Sequence, residues 1–137
     1  MNWKNIISWV LQVAGAAILL QTLYFKFTAS PESVELFTKL GAEPWGRIGT
    51  GVIELIAGIL LVLPSTRVFG ALLGIGLMLG AIASHLLVIG IESQGDGGQL
   101  FMLAWIVLVC CIVILILNKK EVVALRYKLL KRESLLY

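Results

Sequence analysis

The chain has 137 residues, 59% hydrophobic and 14% charged, with a net charge of +3 and a mean hydropathy of +0.97. That length holds one domain, and that composition excludes an ordinary soluble enzyme and gives no reason to expect a nucleic-acid partner. The fold class expected is all-α: an integral membrane four-helix up-and-down bundle, with a short amphipathic helix in its first, outward loop and a basic C-terminal tail.

Four apolar runs have the length of bilayer spans: Ile6 to Phe25, Ile48 to Leu63, Val68 to Ile91 and Leu100 to Leu117. The first begins as a secretory signal does, with Lys4 ahead of the run and Ala14-Gly15-Ala16 in the place of a cleavage site. It continues through Ala17, Ile18, Leu19 and Leu20, however, which makes a full span and not a short signal core.

Between the first two runs, Ser30 suits an N-cap and Pro31 a first helical residue, while Glu32 and Glu35 sit where negative charge favours the helix dipole. Val34, Phe37 and Leu40 recur at helical spacing until Gly41 stops the run. The segment is either a lid over the outward mouth of the bundle or a helix lying in the headgroup region. Pro64-Ser65-Thr66-Arg67 and Gly95-Asp96-Gly97-Gly98 are short turns, so the spans they join are antiparallel neighbours. After Asn118 a basic segment places Val122, Leu125 and Leu129 on one helical face, a pattern suited to anionic lipid headgroups. The expected division is a four-span domain over 1–118 and a basic cytoplasmic tail over 119–137.

Basic residues set the orientation, because basic loops next to spans are retained on the cytoplasmic side. Lys4, Arg67, Lys119, Lys120, Arg126, Lys128, Lys131 and Arg132 fall on one side. Lys26, Lys39 and Arg47 fall on the other, diluted by Glu32, Glu35, Glu43, Glu92 and Asp96. Both termini are therefore expected in the cytoplasm. The adjacent Cys110 and Cys111 point about 100° apart on a helix, so they read as packing residues and not as a disulfide.

Glu54 and His85 are the most informative residues, because each stands inside an apolar run where an ionisable group is expensive. Glu54 follows Arg47 by seven residues and His85 precedes Glu92 by seven, so each lies roughly 10 Å below the same outward rim. Gln21 lies about 7 Å beneath Lys26, near that level. Arg47, Gly51, Glu54 and Gly58 share one helical stripe, and Gly74, Met78, Ala81, His85 and Glu92 share another; both should face the bundle interior. Lys26, Arg47, Gln21 and His85 are available donors for Glu54, with Glu92 and Asp96 as acceptors above. The cluster reads either as a polar staple that sets helix register or as a pocket able to bind a polar head and handle a proton. No metal site is expected, and no residue is marked as catalytic.

At these residues the chain resembles the DoxX family of small four-helix membrane proteins. The resemblance is carried by Tyr24-Phe25-Lys26-Phe27, by Phe37 to Gly41 ahead of Pro44-Trp45, and by Gly51-Val52-Ile53-Glu54-Leu55-Ile56-Ala57-Gly58. The Pro64 turn with Thr66-Arg67, and Ser84-His85 ahead of Gly95-Asp96-Gly97-Gly98, complete it, over about Ile6 to Leu117. It implies a bacterial cytoplasmic (inner) membrane and a redox-associated subunit in which Lys26, Glu54 and His85 line an outward pocket for a quinone or similar small amphiphile. The chain has no Cys-x-x-Cys, haem motif or flavin fingerprint, so a partner subunit would carry electrons. Two other functions fit the same residues: a proton-coupled transporter of a small solute, which would need a homo-oligomer, and a non-catalytic scaffold of a membrane complex.

Overall fold

The computed structural model describes residues 2–136, so Met1 and Tyr137, the first residue of the expected domain and the last of the expected tail, lie outside the described residues. The described residues form helices α1 (Trp3–Phe27), α2 (Pro31–Lys39), α3 (Trp45–Val62), α4 (Arg67–Ser84), α5 (Gln99–Leu117) and α6 (Lys119–Ser134). A π-helical stretch, His85–Ile89, continues directly from α4. The four long apolar helices α1, α3, α4 with its π extension, and α5 each have the length and hydropathy of a membrane span. Consecutive spans pack against each other, α5 closes back on α1, and diagonal pairs hardly meet. This is the up-and-down four-helix bundle expected from the short turns.

The local signals act as the sequence implies. Asn2 caps α1 by accepting from the Lys4 amide, and Ser30 caps α2 by accepting from the Ser33 amide, with Pro31 in the first turn. Gly41 takes a left-handed φ of 68° just past α2. Thr66 holds the α3–α4 turn, its hydroxyl donating to the Leu60 carbonyl at 3.0 Å.

At mid-depth Leu19, Leu61, Ala71, Val107, Cys111 and Ile114 form a core with almost no exposure. Both cysteines are buried and free, Cys111 against Gly74. Gly70 lets α4 touch α3 backbone to backbone: a Cβ there would lie 2.5 Å from the Leu61 nitrogen. Toward the terminal end a second polar group, not read from the sequence, joins α1 to the end of α5. Gln12 Nε2 donates to Ser8 Oγ at 2.8 Å, and Asn118 Nδ2 donates to Ser8 Oγ at 2.9 Å and to the Ile114 carbonyl at 2.7 Å. Beyond Asn118 the basic segment is helix α6, anchored to the start of α4 by an ion pair between Arg67 and Glu121. Val122 and Leu125 are partly covered, whereas Leu129 is exposed.

One expectation fails at the far end of α4. The third span was expected to run as a regular helix to Ile91 and carry Glu92 on its interior stripe. Instead the backbone widens at His85, where the Gly90 amide donates to the His85 carbonyl at 2.7 Å, a five-residue return, and Gly90 leaves the helix with φ 89°. Glu92 therefore falls off the stripe and is exposed. His85 lies four residues from the helix end, roughly 6 Å below it, and not seven residues down.

Candidate functional site

Helix α3 turns Arg47, Gly51, Glu54 and Gly58 into the bundle, all four buried, as their spacing implies. Glu54 is 7% exposed, and inside a bilayer a carboxylate so placed needs compensating donors. Lys26 supplies them from α1, with Nζ at 2.8 Å from Glu54 Oε2 and 3.0 Å from Oε1. Thr22, one helical turn before Lys26, accepts from Nζ at 3.2 Å, and its hydroxyl is 2.9 Å from Glu54 Oε2 and 2.8 Å from the Leu19 carbonyl. The spacing of four between Thr22 and Lys26 was a usable signal for this partner.

Arg47, expected as an available donor for Glu54, is committed elsewhere. It is 6% exposed, its guanidinium pairs with Glu43 at 2.8 Å, and Nε lies 2.9 Å from Glu43 Oε1 and 3.0 Å from Oε2. Its Nη1 donates to the Lys26 backbone carbonyl. Arg47 therefore fastens the end of α1 to α3, and Glu43 neutralises it. Gln21 is exposed on α1 and makes no hydrogen bond to Glu54 among the described residues.

His85, 5% exposed, stands on the opposite wall. Its Nδ1 donates to the Gly90 carbonyl at 2.8 Å, and its ring meets the Phe101 ring edge-on with centroids 5.6 Å apart. No hydrogen bond joins it to Glu54 among the described residues. Asp96, expected as an acceptor above the cluster, instead accepts from the Ser93, Gly98 and Leu100 amides at 3.0, 2.8 and 3.1 Å and caps α5. Burial raises its carboxyl pKa, but those three N–H groups outweigh burial and hold it below its ordinary value.

What unites the two walls is a cavity of about 1400 Å³ lined by Lys26, Thr22, Glu54, His85 and Ser93 among mostly apolar side chains. Helix α2 forms its roof with Ser33, Leu36, Phe37 and Leu40, and Gln94 ties the 90–98 segment to α2 by donating to the Glu32 carbonyl at 2.9 Å. The amphipathic segment is thus a lid over the mouth. The cavity continues along the outside of the α3–α4 seam, past Ile53, Phe69, Leu73, Gly76 and Gly80. At Gly76 and Gly80 no atom comes within 4 Å of where a Cβ would lie, so these glycines leave a groove and not a helix contact.

No curated protein and no solved structure matches the chain. A family model does: that of the DoxX-like family, over residues 10–114, a stretch holding most of the four spans, the lid and both polar walls. The chain belongs to the DoxX-like family.

Proposed function

We propose that the protein is a redox-associated membrane subunit that holds a quinone or similar small amphiphile in the cavity beneath α2. The observation that carries this reading is one cavity bounded by the buried Lys26–Glu54 pair on one side and by His85 on the other. A polar staple between α1 and α3 is complete with Lys26, Glu54 and Thr22, and it gives no reason for a second buried ionisable group on the other side of the cavity. The cavity runs from the polar walls out along the apolar α3–α4 groove, a shape that suits a ring-sized head with an apolar tail.

In this reading Glu54 and His85 meet the head, Lys26 holds the Glu54 carboxylate in place, and Arg47 holds Lys26. The α2 end faces outward and both termini lie in the cytoplasm of a bacterial inner membrane, in keeping with the basic residues at the terminal end. Electrons would come from a partner subunit. The basic α6, with Lys128, Lys131 and Arg132 exposed, would rest on anionic headgroups.

The test is direct binding of decylubiquinol to purified protein in lipid nanodiscs by calorimetry under oxygen-free conditions, with Glu54→Gln and His85→Ala beside the wild type. Weakened binding in both variants is expected. Binding that is undiminished in both would remove Glu54 and His85 from the site, and no binding to the wild type would overturn the reading.

A further inference from the structure

The two nitrogens of His85 are not equivalent. A carbonyl oxygen can only accept, so the 2.8 Å contact between Nδ1 and Gly90 O places a proton on Nδ1. An imidazole carrying one proton then presents a bare lone pair at Nε2. The ring cannot readily turn over, because the carbonyl that holds Nδ1 and the peptide that carries the ring belong to one π turn, closed by Gly90 N to His85 O at 2.7 Å, with Phe101 against its face. Nε2 makes no hydrogen bond to the described residues, yet no occluded side-chain nitrogen or oxygen among them lacks a partner. Nε2 is therefore not occluded, and His85 lines the cavity.

The donors on the opposite wall are already committed. An ammonium has three N–H groups, and Lys26 directs its own at Glu54 Oε1, Glu54 Oε2 and Thr22 Oγ1. The Thr22 hydroxyl is shared between Glu54 and the Leu19 carbonyl. Among the buried groups at this depth what stays open is acceptor capacity, the His85 lone pair and the remaining lone pairs of the carboxylate; the Ser93 hydroxyl and the exposed Gln21 amide, which also line the cavity, can act either way.

We infer that the cavity selects an amphiphile whose head donates a hydrogen bond, a hydroxyl of the phenol or hydroquinone class, and that His85 Nε2 is the acceptor that selects it. An oxidised quinone head has only carbonyl acceptors, which would face the His85 lone pair without a proton between them. A buried acceptor left without a donor disfavours that ligand, whereas a hydroxyl satisfies both partners. This rests on the proposal that the cavity holds an amphiphile, and it adds which redox state the site prefers.

The experiment uses the full chain in nanodiscs under oxygen-free conditions, with three ligands of one tail: decylubiquinol, decylubiquinone and the dimethyl ether of decylubiquinol, which has the quinol's shape without its donors. The quinol is expected to bind about tenfold more tightly than either of the others. In His85→Phe, which keeps a ring against Phe101, that preference should fall to about twofold or less, with thermal melting reporting whether the variant is folded. The wild-type series needs no variant to be decisive. Equal affinity for the three ligands would overturn the inference and leave the cavity reading standing. A quinol preference that persists in a folded His85→Phe protein would overturn the assignment to His85. Absence of binding by all three would overturn the cavity reading and this inference with it.

Discussion

Arg47 donates to the backbone carbonyl of Lys26, so the residue that pairs with Glu54 is itself held by α3, the helix that carries Glu54. The two contacts form a closed loop between α1 and α3: side chain to carbonyl at the rim, and side chain to side chain one level down. A carbonyl in the last turn of α1 has no helical partner of its own, and Arg47 supplies one. The guanidinium can serve that carbonyl and Glu43 together because its donors spread in a plane.

Arg47→Lys should therefore loosen the Lys26 end of α1, since an ammonium cannot reproduce the fork. The expected loss is about 1–2 kcal/mol of stability, with faster amide exchange over residues 24–28 and little change around Gln12. Hydrogen–deuterium exchange in micelles resolves the two regions.

Removing one member of the buried pair should be worse than removing both. Glu54→Gln leaves the Lys26 ammonium against a neutral amide and should cost about 3 kcal/mol, whereas Lys26→Met with Glu54→Leu should return close to wild type. Thermal unfolding of the single and double variants gives the coupling energy, and additive effects would contradict the geometry.

Filling the groove should discriminate between tails. Gly76→Leu and Gly80→Leu meet no atom within 4 Å at Cβ, so both variants should fold. Loss of contact with about two methylenes of a decyl tail should weaken binding roughly tenfold, while a ligand with the same head and a methyl tail should bind as before.

Asp96 gives the 90–98 segment a defined acid sensitivity. Its folded pKa lies below the ordinary value of 3.8, so the stability it contributes is fully present above that value and declines as the pH falls toward the lower, folded one. Amide protection at Gly98 and Leu100 should be constant from pH 7 to pH 5 and fall only in solution more acid than the ordinary carboxylate value of 3.8. In Asp96→Ala the protection should be lower throughout, by about 1–2 kcal/mol, and lack that acid step.

Gly74 tests the packing of the cysteines. A Cβ there would lie 2.7 Å from Cys111 Sγ, so Gly74→Ala should destabilise the bundle by about 1–3 kcal/mol, and Cys111→Ala in the same chain should recover most of it.

Much of the fold was legible because its signals are local. Hydropathy marks spans, Ser30-Pro31 starts α2, Gly41 ends it, and the Pro64 turn leaves no room for anything but antiparallel neighbours. The interior stripe of α3 followed from helical spacing alone, since a face rich in glycine with one carboxylate has only one stable side to occupy. Pattern also placed Glu54, His85 and Lys26 near one end of the bundle.

Partner choice was not legible, because it depends on which side chains meet across helices. The stripe on α4 extends to Glu92 only if the helix stays regular, and the π turn at His85 ends it at Gly90. Ser93 and the Ser8–Gln12–Asn118 group carry no charge pattern or motif that distinguishes them from other polar residues; burial gives them their roles. The sequence by itself determined a four-span bundle with a carboxylate and an imidazole inside it, since bilayer length and helical period leave little choice. Only the tertiary structure decided that the carboxylate belongs to Lys26 and the imidazole to the Gly90 carbonyl, with a cavity between them: a helix period fixes direction, but distances across a bundle are set by the packing of all four helices.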